Sequence, residues 1–122
     1  MASVGDDPRR YAFAVWNYRQ GEIVAAMIHL GHELGLYKAM AGAGPLLAGE
    51  VAARTSLDER WILEWLRLQA AAKLLDYCGD DRFQLPDAAL DLLVEDDHKS
   101  FVAGEFSGPD MAGILARMTE SF

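Results

Sequence analysis

The chain has 122 residues, with 11 Lys plus Arg against 19 Asp plus Glu and a formal charge of −8. That length is room for one domain with one core, and the acidic balance argues against a sequence-independent grip on nucleic acid, which needs a basic face to displace counterions. An apolar share of 52% argues against disorder; the single Cys78 excludes an internal disulfide framework and a Cys-based zinc site.

The longest aliphatic run, Ile23 to Ile28, is too short to span a membrane. The first ten residues lack the apolar core of a secretory signal, so the default compartment is the cytoplasm. Charge is uneven: residues 1–45 are net zero, residues 46–85 net −2 and residues 86–122 net −6.

Residues 1–8 read as a tail. Asp7-Pro8 then starts a helix, with Asp7 as N-cap and Pro8 in the first turn. Tyr11 to Tyr18 carries apolar groups on nearly every side, and a helix of that kind is buried all round. In a small domain the cover has to come from a second subunit or domain. Gly21 breaks the pattern, and Ile23, Met27, Leu30 and Leu34 then mark one helical face. Gly35 ends it in a left-handed cap, a helical turn follows over Tyr37–Met40, and Ala41 to Pro45 is a connector.

Leu46–Thr55 reads as a short helix with Val51 and Ala52 inward. Ser56 and Glu59 form a capping box for the next helix, Leu57 to about Lys73, where Trp61, Trp65 and Leu68 share a face. Leu74–Cys78 and Arg82–Leu85, around the Gly79-Asp80-Asp81 turn, read as a β-hairpin. Pro86 starts another helix to Leu93. After the acidic Glu95-Asp96-Asp97 stretch and a break at Gly108-Pro109-Asp110, Met111, Ile114, Leu115 and Met118 define a last amphipathic helix. That helix reaches the final residue with no cap, the pattern of a chain expected to continue. The expected fold is mainly α: a winged helix-turn-helix with one small hairpin, extra N-terminal helices for dimerisation and C-terminal helices. Its organisation is a tail over 1–8, a winged-helix domain over 9–94 and C-terminal helices over 95–122.

Val15-Trp-Asn-Tyr-Arg-Gln-Gly21, Met27-Ile-His-Leu-Gly31 and Leu34-Gly-Leu-Tyr37 together resemble the N-terminal region of bacterial class I S-adenosylmethionine-dependent methyltransferases with a winged-helix domain. Glu50-Val-Ala-Ala-Arg-Thr55, Leu57-Asp-Glu-Arg-Trp61, Glu64-Trp-Leu66 and Phe83-Gln-Leu-Pro86 extend the resemblance in order and spacing over about residues 9–106. It implies a domain that intertwines with its mate and roofs part of the substrate cavity, followed by a Rossmann-like domain that binds S-adenosylmethionine. The Gly-rich loop of that second domain is missing here, and Leu46-Leu47 stands where the family places a Thr or Ser cap. The resemblance therefore implies a fragment or small subunit with no catalytic or cofactor-binding residue of its own. Its expected partners are a second copy or a Rossmann-like methyltransferase subunit, and an apolar acceptor.

Trp16, Tyr18, His29 and His32 are the candidates for facing that acceptor. The aromatics supply flat apolar contact; dimer core is their plainer reading. His29, His32 and Glu33 have a spacing that could present two imidazoles to a metal, but no third ligand is visible, so no metal is expected. The helix after Ser56 stands where a DNA-recognition helix would, yet Asp58 and Glu59 open it and the hairpin tip is acidic. Cys78, with nothing nearby to lower its pKa, reads as a packing residue. The rivals are a winged-helix transcription regulator and a free-standing small-molecule-binding domain.

Overall fold

The computed structural model describes residues 3–108 and 111–122. Helix α1 runs from Pro8 to Glu33. Asp7 caps it, its carboxylate accepting from the Arg9 N–H at 2.9 Å, with Pro8 in the first turn. Gly21 does not interrupt this helix, contrary to the break expected there. A single interior glycine costs about 1 kcal/mol relative to alanine, too little to undo the turns on both sides. The real end is at Gly35, whose φ of 70° lies in the left-handed region. The Gly35 N–H donates to the His32 carbonyl at 3.1 Å.

Helix α2 (Leu36–Met40) follows at once. Strand β1 (Leu46–Leu47) precedes α3 (Ala48–Thr55), and α4 covers Glu59–Ala71. Strands β2 (Asp76–Tyr77) and β3 (Arg82–Gln84) form the wing. A 3-10 turn at Asp87–Ala89 leads into α5 (Leu90–Leu93), another spans Ala103–Ser107, and α6 is Met111–Ser121. The fold is a mainly α winged helix-turn-helix, as the pattern of elements implied.

Three local expectations are corrected. Leu46–Leu47 is not the start of the short helix: it pairs antiparallel with β3, Leu46 opposite Phe83, so the hairpin gains a third strand in the order β1-β3-β2. Leu46, buried opposite Phe83, gains more there than in an uncapped first turn. The cap is made instead by Glu50, whose carboxylate accepts from the Leu47 N–H at 3.0 Å. Ser56 does not cap α4. It ends α3, with φ 59° and its N–H donating to the Ala52 carbonyl at 2.8 Å. Asp58 caps α4, its Oδ1 accepting from the N–H groups of Arg60 and Trp61 at 3.0 and 3.2 Å. A carboxylate there also meets the positive end of the helix dipole. Cys78 is exposed rather than packed. The expected break at Gly108-Pro109-Asp110 falls partly outside the described residues.

The core lies between the C-terminal third of α1, α2, α3, α4 and the sheet. Leu36, Tyr37, Met40, Val51, Leu66 and Phe83 are its most deeply buried apolar members. Lys38 on α2 reaches Asp96 at 3.0 Å, a hydrogen bond that holds the Asp96 carboxyl below its ordinary range and ties the segment after α5 to the core.

Candidate functional site

Two parts of α1 differ. Its last turns are anchored: Ile28 and Gly31 are buried, and the Trp65 indole N–H donates to the Met27 carbonyl at 2.9 Å. Gly31 lets α4 and α2 come this close, since a Cβ there would collide with the Trp65 ring and lie 2.8 Å from Tyr37 Cε2. The Tyr37 and Trp65 rings meet edge to face at 5.2 Å. The Tyr37 hydroxyl donates to Gln69 Oε1 at 2.6 Å inside the core, where Gln69 Nε2 has no partner among the described residues. Burial pushes the Tyr37 phenol well above its usual range, against a smaller opposite effect of the Gln69 hydrogen bond.

Outside this anchor an apolar groove of about 750 Å³ opens between α1 and α4. Met27 and Leu30 form one wall and Trp61, Trp65 and Leu68 the other, with Glu64 and Arg67 at the rim. Trp61 remains 71% exposed on that wall. A smaller hollow of about 240 Å³, lined by Gln20, Ile23, Val24, Leu68, Ala71 and Ala72, continues it along α1.

The N-terminal half of α1 buries no side chain. Tyr11, Phe13, Trp16 and Tyr18 are more than half exposed, Tyr18 at 83%. Water is an unfavourable neighbour for so many aromatics on one helix. The arrangement can do one thing chemically: bury apolar surface against something else.

The four candidate residues do not converge. Trp16 and Tyr18 lie on the projecting half of α1, and neither lines the groove. His29 and His32 sit on its anchored half and are partly buried. His29 Nδ1 is shut from solvent without a partner among the described residues, and His32 lies tilted against Phe101 at 5.5 Å. Trp16 and His29 are thirteen residues apart, about 20 Å along the helix axis. Sequence reasoning missed the groove. Its signal was present in the Met27 and Leu30 stripe and in the Trp61, Trp65 and Leu68 face, which had to be paired across two helices.

Among the described residues, no group of three or more His, Cys, Asp or Glu is placed to hold a metal ion. No described helix is long and apolar enough to cross a membrane. On α4, Arg67 is 3.9 Å from both Glu64 and Asp81, so that arginine faces carboxylates.

No curated protein matches the chain. Solved structures do. The mitomycin 7-O-methyltransferase is 26% identical with a TM-score of 0.71, over 91% of this chain and 33% of that one. N,N-8-amino-8-demethyl-D-riboflavin dimethyltransferase from Streptomyces davawensis is 25% identical with a TM-score of 0.68, over 90% and 33%. Human N-acetylserotonin methyltransferase, in complex with SAM, shares the fold at 21% identity and a TM-score of 0.69, over 98% and 36%. The chain thus spans about a third of the length of the methyltransferases it matches. A family model for the Rv2258c-like winged HTH domain matches residues 22–94. With more than half its length in that match, the chain belongs to the Rv2258c-like winged HTH domain family.

Proposed function

We propose that this chain is the dimerisation and substrate-enclosing domain of an S-adenosylmethionine-dependent methyltransferase, with the catalytic centre in a Rossmann-like half on the same or a separate polypeptide. The observation that carries this reading is the projecting aromatic half of α1 beside an open apolar groove, on a fold whose solved likenesses are methyltransferases. The residues present do not fit the cofactor. A class I cradle needs a parallel sheet with a Gly-rich turn into a helix, whereas this sheet is three antiparallel strands of two or three residues. When bound in the other half, the cofactor supplies the methyl group.

The contribution of this chain is to enclose the acceptor, hold it in position and exclude water. Trp16 and Tyr18 supply apolar walls, and His29 and His32 supply polar handles on the α1 face toward the acceptor. Residues 95–122 lead toward the Rossmann-like half, and the assembly works in the cytoplasm. The test is light scattering on the purified chain, with intact mass of the natural protein recovered from its source. A dimer, or a heteromer with a second polypeptide, is expected. A strictly monomeric chain at micromolar concentration, recovered from its source at its own mass with no protein bound, would overturn the reading.

A further inference from the structure

We infer that residues 95–107 form a detachable cover over the His29 and His32 face of α1, so that an acceptor reaches these two imidazoles only when the cover lifts; the inference rests on the substrate-enclosing reading above and adds a gate to it. The cover starts after α5 and ends in the 3-10 turn at Ala103–Ser107. Of the described elements, that turn packs most extensively along α1. Ala103 is fully buried, and Phe101 and Phe106 pack partly buried against the core. The Phe101 ring lies 5.5 Å from His32, and a Cβ on Gly104 would sit 3.8 Å from His32 Nε2. His29 precedes His32 by three residues, about 60° round the helix, and its Nδ1 is shut from solvent. Met27 and Leu30, which face the groove toward α4, lie on the opposite side of α1. Burial of the two histidines is therefore the work of the cover, not of α4.

The manner of attachment makes the cover separable. Its backbone hydrogen bonds turn inward: the N–H groups of His98, Phe101 and Glu105 donate to the carbonyls of Glu95, His98 and Val102, each at 2.9 Å. The Val102 N–H donates to the Leu92 carbonyl, also at 2.9 Å. Helix α1 closes its own backbone hydrogen bonds as one continuous helix. Lifting the cover thus strands no backbone group of α1. What is given up is apolar contact and one ion pair. That pair joins Lys38 on α2 to Asp96 at 3.0 Å, with both side chains about half exposed. Residues 95–107 carry Glu95, Asp96, Asp97 and Glu105 against Lys99 alone, so Lys38 acts as a latch on an acidic segment. A unit joined to the rest by few contacts opens at less cost than global unfolding.

Imidazole access is read by carbethoxylation with diethyl pyrocarbonate, mapped by peptide mass, at two protein concentrations. In the parent chain His29 and His32 should react at least about ten-fold more slowly than in the denatured chain, as expected of groups exposed only on opening. Lys38→Ala releases the latch and should raise both rates together by up to about five-fold, the effect of one exposed ion pair. Ala103→Glu should bring both close to the denatured rates while amides of α4 stay protected from exchange. Parent rates equal to the denatured ones would show no cover and overturn the inference. So would rates unmoved by both substitutions, or protection that grows with protein concentration, since something other than residues 95–107 would then cover the histidines. Loss of α4 protection in Ala103→Glu would make the segment one unit with the core and overturn the gate. None of these outcomes alters the oligomer and partner measurements that test the substrate-enclosing reading, and failure of that reading leaves these rates unchanged.

Discussion

Gly31 is where α1 is held to the rest of the molecule, and its missing side chain is what the contact requires. Gly31→Ala gains about 1 kcal/mol of helix propensity but forces Trp65 or Tyr37 to shift, an overpacking cost of about 1–3 kcal/mol. The expected outcome is a net loss of stability in denaturant unfolding, with α4 intact. Tyr37 and Gln69 form a second such point. Tyr37→Phe strands Gln69 in the core and should cost about 1–3 kcal/mol, and Gln69→Leu in the same chain should recover most of it. The phenol also gives the fold an alkaline limit. Its pKa is raised in the folded state by burial, so above pH 10 the unfolded chain sheds the proton first. The contribution is complete below the ordinary phenol pKa and is lost as pH rises toward the folded value. The slope approaches about 1.4 kcal/mol per pH unit. Unfolding followed from pH 9 to 11 should show it in the parent chain and not in Tyr37→Phe.

At the scale of elements, α1 dominates. Trp16→Glu places a carboxylate on the exposed aromatic stretch of α1 without touching the core. It should leave far-UV dichroism unchanged at a concentration where the parent is dimeric, and weaken association at least about 30-fold, the effect of losing a central aromatic anchor. Sedimentation over a concentration series measures it. The elements were largely legible because their signals are local: Asp7-Pro8 starts α1, Gly35 ends it, and the Gly79-Asp80-Asp81 turn makes the wing. The misreadings were competitions that one sequence cannot settle by pattern. Ser56 and Asp58 are both good caps, and the need for a left-handed residue at the end of α3 assigned Ser56 there. Leu46 and Leu47 became a strand because Phe83 and Arg82, 37 and 35 residues later in the chain, offer them partners. Gly21 looked like a stop because its cost is visible in the sequence and the support on either side is not.

For the whole molecule, the distribution of charge matters more than its total. The acidic wing tip, Asp58 at the start of α4 and the overall −8 set carboxylates on the side a winged helix presents to DNA, which weakens its attraction for phosphates. A gel shift with mixed-sequence duplex at low salt should show no retardation; a retarded band that fades with salt would contradict this. The candidate site was half legible for a related reason. The sequence shows which residues are apolar on each helix, but a groove is a relation between two helices, and the placement of Met27 against Trp65 depends on Gly31. Trp16 and Tyr18 are candidates for their flat apolar surface and His29 and His32 for their shared helix face, and the 1.5 Å rise per residue spreads the four over several turns.

The unsupported length of α1 has a consequence for its own persistence. Isolated helical segments shorter than about 12–15 residues are marginal in water, because closing the first turn is costly and each later hydrogen bond returns little. The stretch from Pro8 to Gly21 is of that size and buries no side chain in its own chain. On dilution, then, these turns should unwind before the core does. Ellipticity at 222 nm would fall with concentration while the exchange protection of core amides in α4 held steady. Backbone amides of residues 11–20 would exchange with solvent at a rate that tracks dissociation rather than global unfolding. Secondary structure in this segment would then be a property of the assembly, formed when two chains meet.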